Sequence, residues 1–263
     1  MSYIKSFDKD IYFLEIVGDK IIINDDYSGI SVLDFELNLI KRVNIMEGLI
    51  VYSAFDNGKS ILLFCPDNAC VVYVDMETFD HHIFSLEGLE NRVFSDLYCY
   101  DDDWYVLSDY DGEFLRLDIG DRSAELISKE YLNKNMKVFR DEYFLLSRYT
   151  PYKIFNKLKK AVIEDCGKMA IASYSAGSVY ILKRFDKTGA HDFELDESCF
   201  ASISEKRVDL FIYDKNSTYY PSNGYTFLRA KLGVIDHKKY MFILSGGNSR
   251  DKADMIERFD IIK

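Results

Sequence analysis

Residues 19–35 read DKIIINDDYSGISVLDF: a charged pair, a β-branched run, a turn of Asp, Tyr, Ser and Gly, and a second apolar run ending at Phe35. Branched side chains pack well on a pleated surface, while Asp, Ser and Gly tolerate the dihedrals of a tight reversal, so the segment reads as a β-hairpin. The unit recurs. Further copies begin at Gly58 (GKSILLFCPDNACVVYVD), Asp102 (DDWYVLSDYDGEFLRLD), Asp141 (DEYFLLSRYTPYKIFNK), Gly167 (GKMAIASYSAGSVYILKR), Lys206 (KRVDLFIYDKNSTYYPSNGYTFLRA) and Lys238 (KKYMFILSGGNSRDKADMIERFD). Taking Lys20, Lys59, Asp103, Glu142, Lys168, Arg207 and Lys239 as equivalent gives steps of 39, 44, 39, 26, 39 and 32 residues.

A step near 39 accommodates four short strands, the paired runs being flanked by candidates such as LIVYSAF and NRVFSDLY before and LIKRVNI, HHIFSL and SAELIS after. Strands such as ILLF and YVLS are apolar on both faces, which suits sheets stacked one against the next. The expected fold is therefore all-β, a β-propeller of about seven short blades, with six as the alternative. The 26-residue step predicts one abbreviated or shared blade. N-terminal SYIKSF is expected to complete a sheet begun by C-terminal MIERFDIIK, tying down both ends of one domain over residues 1–263. A sandwich pair or a β-helix explains the period less well. RSAELISKEYLNKNM is the one stretch with the look of a short helix.

Composition bounds the function. An apolar fraction of 48% supports a substantial core, and only three prolines and 14 glycines leave most turns to Asp, Asn and Ser. Asp-rich loops are thus expected as turns. The net charge of −11 repels polyanions, which argues against direct nucleic-acid binding and favours encounter with a basic protein. Five cysteines fall in or beside apolar runs with no zinc spacing, charges at Lys5, Asp8, Lys9 and Asp10 interrupt any leader-like run, and no apolar stretch reaches membrane-spanning length. A cytoplasmic location without membrane attachment is the expectation.

Catalytic patterns are missing. Asp109-Tyr110-Asp111-Gly112-Glu113 opens like a calcium loop but lacks the distal ligands, and Asp-Gly is a favoured hairpin turn. His81, His82, His191 and His237 have no triad spacing, Ser175-Ala176-Gly177-Ser178 is a small-residue turn, and Gly246-Gly247 lies at a hairpin tip. The sequence therefore implies no catalytic residue, no metal ligand and no cofactor. A channel enzyme of lactonase or glycosidase type would need carboxylates on the first strand of several repeats. LIVYSAF, NRVFSDLY and SCFASIS, taken as first strands, offer only Asp96. A scaffold joining several partners is a third reading.

Charge distribution is more informative. In a propeller the tips of the second-to-third-strand hairpins share one face. The first three tips hold Asp25, Asp26, Asp67, Asp109, Asp111 and Glu113, with Tyr27 and Tyr110 among them and no base. The later tips are expected to bring Arg148, Tyr149, Tyr174, Tyr219, Tyr220 and Arg250 to that face. Tyrosine gives large contact area at small rotamer cost. Asp25, Asp26, Tyr27, Asp67, Asp109, Tyr110, Asp111 and Glu113 are accordingly the expected partner-binding residues, although a solvated charged face would contain the same residue types.

Through NDDYSGISVLDF, SDYDGEFLRLD, its acidity and degenerate repeats without WD or kelch signatures, the whole chain resembles bacterial immunity proteins of contact-dependent or polymorphic toxin systems. The resemblance implies a monomer that binds a basic toxin, such as an RNA-cleaving one, one-to-one and blocks its cleft.

Overall fold

A computed structural model describes residues 2–86, 94–100, 103–108, 114–127, 141–142, 145–146, 148–149, 151–155, 158–186, 189–212, 215–249 and 251–261. Among these, the strands form six four-stranded antiparallel sheets. Five are built from four consecutive strands: Leu14–Val17 to Leu39–Asn44 (sheet one), Ser53–Asp56 to His81–Ser85 (two), Phe94–Tyr100 to Ser123–Ile127 (three), Pro151–Phe155 to Ser178–Phe185 (four) and Asp192–Leu195 to Lys215–Tyr219 (five). Sheet six draws on both chain ends. Tyr225–Ile235, Lys238–Gly247 and Asp254–Ile261 are joined by Ser2–Phe7, with Ser2 opposite Phe259 and Phe7 opposite Asp254.

The core explains why the strands are apolar on both faces. Sheets one and two clamp Ile22, Ile30 and Val32 against Ile61, Leu63 and Val72; two and three join Leu62 and Val71 to Leu115 and Leu117. Four and five share Val162, Ile171, Phe193 and Phe200, five and six share Ala201, Leu210, Met241 and Ile243, and six returns to one through Phe242, Leu244, Ile21 and Phe35. Sheets one, two, five and six each lie between two neighbours, so alternation of polar and apolar residues is lost there. First strands of neighbouring sheets touch, Leu14–Val17 against Tyr225–Ile235 and Asp192–Leu195 against the same strand. They line the axis.

The expected seven hairpins reduce to six sheets because one copy was no hairpin. Residues 141–142 and 145–146 are helical, and Leu146 seals the face of sheet four over Ala161, Ile163, Ala170 and Ala172. Two further copies were misregistered by one strand. Lys168–Ser175 with Ser178–Phe185, and Arg207–Ile212 with Lys215–Tyr219, are third-to-fourth hairpins. Second strands start at Lys20, Ser60, Asp103, Lys160, Cys199 and Lys238, steps of 40, 43, 57, 39 and 39 residues. The long step contains the helical insertion. Ser123–Ile127 is a strand rather than the start of the expected helix, the rest of which lies outside the described residues.

Candidate functional site

Alternation of strand direction puts the second-to-third hairpins and the loops leading into each first strand on one face, here the upper face. First strands run from it towards the opposite face. Tyr174 and the turn after it, being part of a third-to-fourth hairpin, belong to the opposite face, which corrects the expectation that they join the acidic tips.

The first tip is held by a dense local network. Asp26 and Tyr27 both take left-handed dihedrals (φ 49° and 59°), the two-residue turn that matches strand twist. Two consecutive non-glycine residues there cost about 1–2 kcal/mol each. Compensation comes from Tyr27, whose ring stacks on Tyr12 at 5.5 Å and whose hydroxyl donates to Asp10 at 2.5 Å. That bond pushes the Tyr27 phenol up to about 12, because the phenolate would face the carboxylate. Gly29 then passes so close beneath the next strand that a Cβ would lie 2.0 Å from the Val43 carbonyl oxygen. Buried Asn24 accepts from the amides of Tyr12 and Phe13 and donates to the Asp10 carbonyl, fastening residues 10–13 to the same face.

The predicted partner-binding residues separate on this scaffold. Asp25 is buried and bonded to Lys9 at 2.9 Å, so it is an internal anchor and not a contact residue. Asp26 and Tyr27 are exposed, with Lys9 3.8 Å from Asp26. Asp67 is exposed in a short 3-10 turn, beside Asn68, which accepts from the Ile50 amide and donates to the Gly48 carbonyl. Asp109, Tyr110, Asp111 and Glu113 lie outside the described residues. Sequence reading overlooked Asp8, Asp10 and Glu47, exposed residues from the loops that enter the first strands. Backbone bonds tie these loops together: the Leu49 amide donates to the Tyr27 carbonyl and the Leu86 amide to Ala69. The signal was present as charge in the loops, but their face follows only from the strand register.

Inside the ring, a cavity of about 540 Å³ is lined by the first strands of sheets one, two, four, five and six. Sequence reading had dismissed this channel as nearly uncharged. The error was one of register: SCFASIS is the second strand of its sheet, and the first is Asp192–Leu195, which brings Asp192 and Glu194 into the channel. Asp96 does lie on a first strand.

Four sheets meet there through ion pairs. Lys231 reaches Glu15 at 2.8 Å and Glu194 at 3.4 Å; Lys153 reaches Asp192 at 2.9 Å, Glu194 at 3.3 Å and the Phe193 carbonyl at 2.6 Å. Arg229 lies 3.9 Å from Asp192 and donates to the Tyr12 carbonyl. Three cations thus balance three carboxylates. Burial opposes charge on Lys231, but Glu15, Glu194 and Asp192 together hold its proton more tightly than usual. Burial also opposes ionisation of Asp192, and there Lys153, Lys231 and Arg229 prevail, holding its carboxyl low. Glu194 is held high: burial outweighs its two lysines, with Glu15 and Asp192 adding repulsion. The strain of the network therefore falls on Glu194.

Among the described residues, no group of three or more His, Cys, Asp or Glu side chains is arranged to hold a metal ion. His191 bonds to the Leu228 carbonyl at 2.9 Å, and His82 lies edge-on to Phe84.

No family model matches the chain, and no curated protein matches it. Among solved structures it is similar to KlHsv2 with loop 6CD replaced by a Gly-Ser linker: 12% identity, 95% of this chain and 97% of that one covered, TM-score 0.52. It is also similar to the β-propeller domain of Cps50 (Swd1) from Myceliophteria thermophila, at 7% identity over 97% and 98% of the two chains and TM-score 0.47. A third is catalytically inactive virginiamycin B lyase from Staphylococcus aureus with quinupristin, at 8% identity over the whole of both chains and TM-score 0.48. At such identities likeness speaks to fold alone. The chain is an all-β propeller.

Proposed function

We propose that this propeller is a protein-binding module, without a reaction of its own, that docks a basic partner on the upper face of sheets one and two. One observation carries the reading. Exposed Asp8, Asp10, Asp26, Glu47 and Asp67 share that end with two cations, Lys9 and Arg42, both of which reach Asp25, at 2.9 and 3.8 Å. Such an arrangement leaves a negative field over a surface whose loops are tied to one another. Complementary charge raises association rates more than affinity, and Tyr27 and Tyr52 add aromatic contact area at the same end.

In its finer form the partner is a basic toxin domain, such as an RNA-cleaving one, bound one-to-one and blocked at its cleft. That extension rests on the resemblance to immunity proteins drawn from the sequence. The coarser form requires only a basic partner. The test is co-purification from the native host, identification of any stoichiometric partner, and measurement of its affinity for a quadruple variant, Asp10→Asn, Asp26→Asn, Glu47→Gln and Asp67→Asn. The expected result is a basic partner whose affinity falls about ten-fold or more at low salt. An acidic partner, or an affinity unchanged by the four substitutions, overturns the proposal.

A further inference from the structure

We infer that the upper mouth of the central channel is a binding site for a neutral polyhydroxylated ligand, a mono- or disaccharide. The first reason is a buried acceptor without a donor. Asp192 is nine-tenths buried, and although Oδ1 accepts from Lys153 and from the Phe193 amide, Oδ2 has no hydrogen-bond partner among the described residues. It borders a cavity of about 540 Å³, within the range of small-molecule sites. A buried acceptor without a donor is costly, so the site favours a molecule that supplies one.

The second reason is the sign of the surrounding charge. Lys153, Lys231 and Arg229 would repel a cation brought to Asp192, while Glu15, Glu194 and Asp192 would repel an anion. The balanced array admits a neutral molecule that both donates and accepts. Hydroxyl groups do both, giving a hydrogen to Asp192 Oδ2 and accepting from the Arg229 guanidinium, whose side chain is 38% exposed. The third reason is aromatic. Tyr52 and Tyr152 line the same cavity at the upper ends of their first strands and are 65% and 44% exposed, and the Tyr152 hydroxyl is fixed by donation to Glu164 at 3.0 Å. Exposed rings beside polar groups offer an apolar platform for the C–H face of a pyranose.

The experiment titrates the full chain calorimetrically at pH 7 with glucose, galactose, N-acetylglucosamine, maltose and cellobiose. Glucosamine and glucuronate serve as charged probes on the glucose ring. Saturable one-site binding is expected for at least one neutral sugar, with the two charged probes weaker by about ten-fold or more. Asp192→Asn, which puts a donor where Oδ2 stood, should weaken binding about ten-fold. Tyr52→Ala should weaken it several-fold while leaving the circular dichroism unchanged, and it carries the test alone should Asp192→Asn fail to fold. Absence of saturable binding by every neutral sugar, charged probes that bind as well, or full affinity in the folded variants overturns the inference. The quadruple rim variant, which leaves Tyr52 in place, should bind the sugar normally, so the acidic docking surface and this site are tested apart although Tyr52 borders both.

Discussion

Lys231 remains charged in the interior because three carboxylates surround it, and its removal would strip Glu15 of its 2.8 Å partner and leave Glu194 with Lys153 alone. Stranding buried charge is far more damaging than replacing a whole ionic group, so Lys231→Met is expected to lose about 3–5 kcal/mol in urea unfolding at pH 7. The pH dependence has a definite sign. Lys231 binds its proton more tightly folded than unfolded, so its contribution is complete below about pH 10, the ordinary lysine range, and is lost as pH rises through its higher folded value. Asp192, held low, contributes above about pH 4 and loses that contribution as pH falls through its folded value. Glu194, held high, behaves oppositely, and acidification through its raised value favours the folded state. The Lys231→Met deficit should therefore shrink on acidification, as Glu194, held high, becomes neutral. A deficit constant from pH 7 to pH 3 would mean that the loss is one of packing rather than charge.

At the scale of the strand, the outer position of sheet six is occupied by Ser2–Phe7, paired along its length with Asp254–Ile261. Phe7 packs onto the core between sheets six and one and Lys5 donates to the Leu37 carbonyl, but Tyr3 and Ile4 are about half exposed, so much of its worth lies in the backbone ladder and in covering an edge. Deleting residues 2–7 is expected to cost about 3 kcal/mol or more, from several net hydrogen bonds of about 1 kcal/mol each, and to cause concentration-dependent association through the bared edge. Urea midpoints and light scattering measure both effects. An unchanged midpoint in a monomeric truncation would show the outer strand to be dispensable. The hairpin repeat was legible because turn chemistry and β-branched runs are local properties. Register within a repeat was not: a third-to-fourth hairpin such as Lys168–Phe185 has the same two apolar runs around a polar turn as a second-to-third hairpin. The Asp141 copy misled in the same way. Its apolar Leu146 packs from a helical turn onto sheet four, and a pattern that short does not distinguish helix from strand.

Over the whole molecule the net charge of −11 is distributed so that the upper ends of sheets one and two carry exposed carboxylates, whereas the channel is internally compensated. Salt should separate the two. Association with the proposed basic partner is expected to slow about ten-fold or more between low and high ionic strength while dissociation changes little, as stopped-flow mixing would record. A rate independent of salt would remove electrostatic steering from the proposed function. The sequence by itself determined the all-β class, the repeated hairpin and the acidic tip at Asp25, Asp26 and Tyr27, because strand propensity, turn chemistry and charge are written residue by residue. Tertiary structure alone decided that Asp25 is an anchor, that Asp8, Asp10 and Glu47 join the acidic face, and that Glu15, Lys153, Asp192, Glu194, Arg229 and Lys231 converge on one channel. Those side chains lie on strands from four different sheets. Their meeting depends on which strand of each sheet faces the axis, a choice made by the stacking of neighbouring sheets face to face and by no pattern within a single repeat.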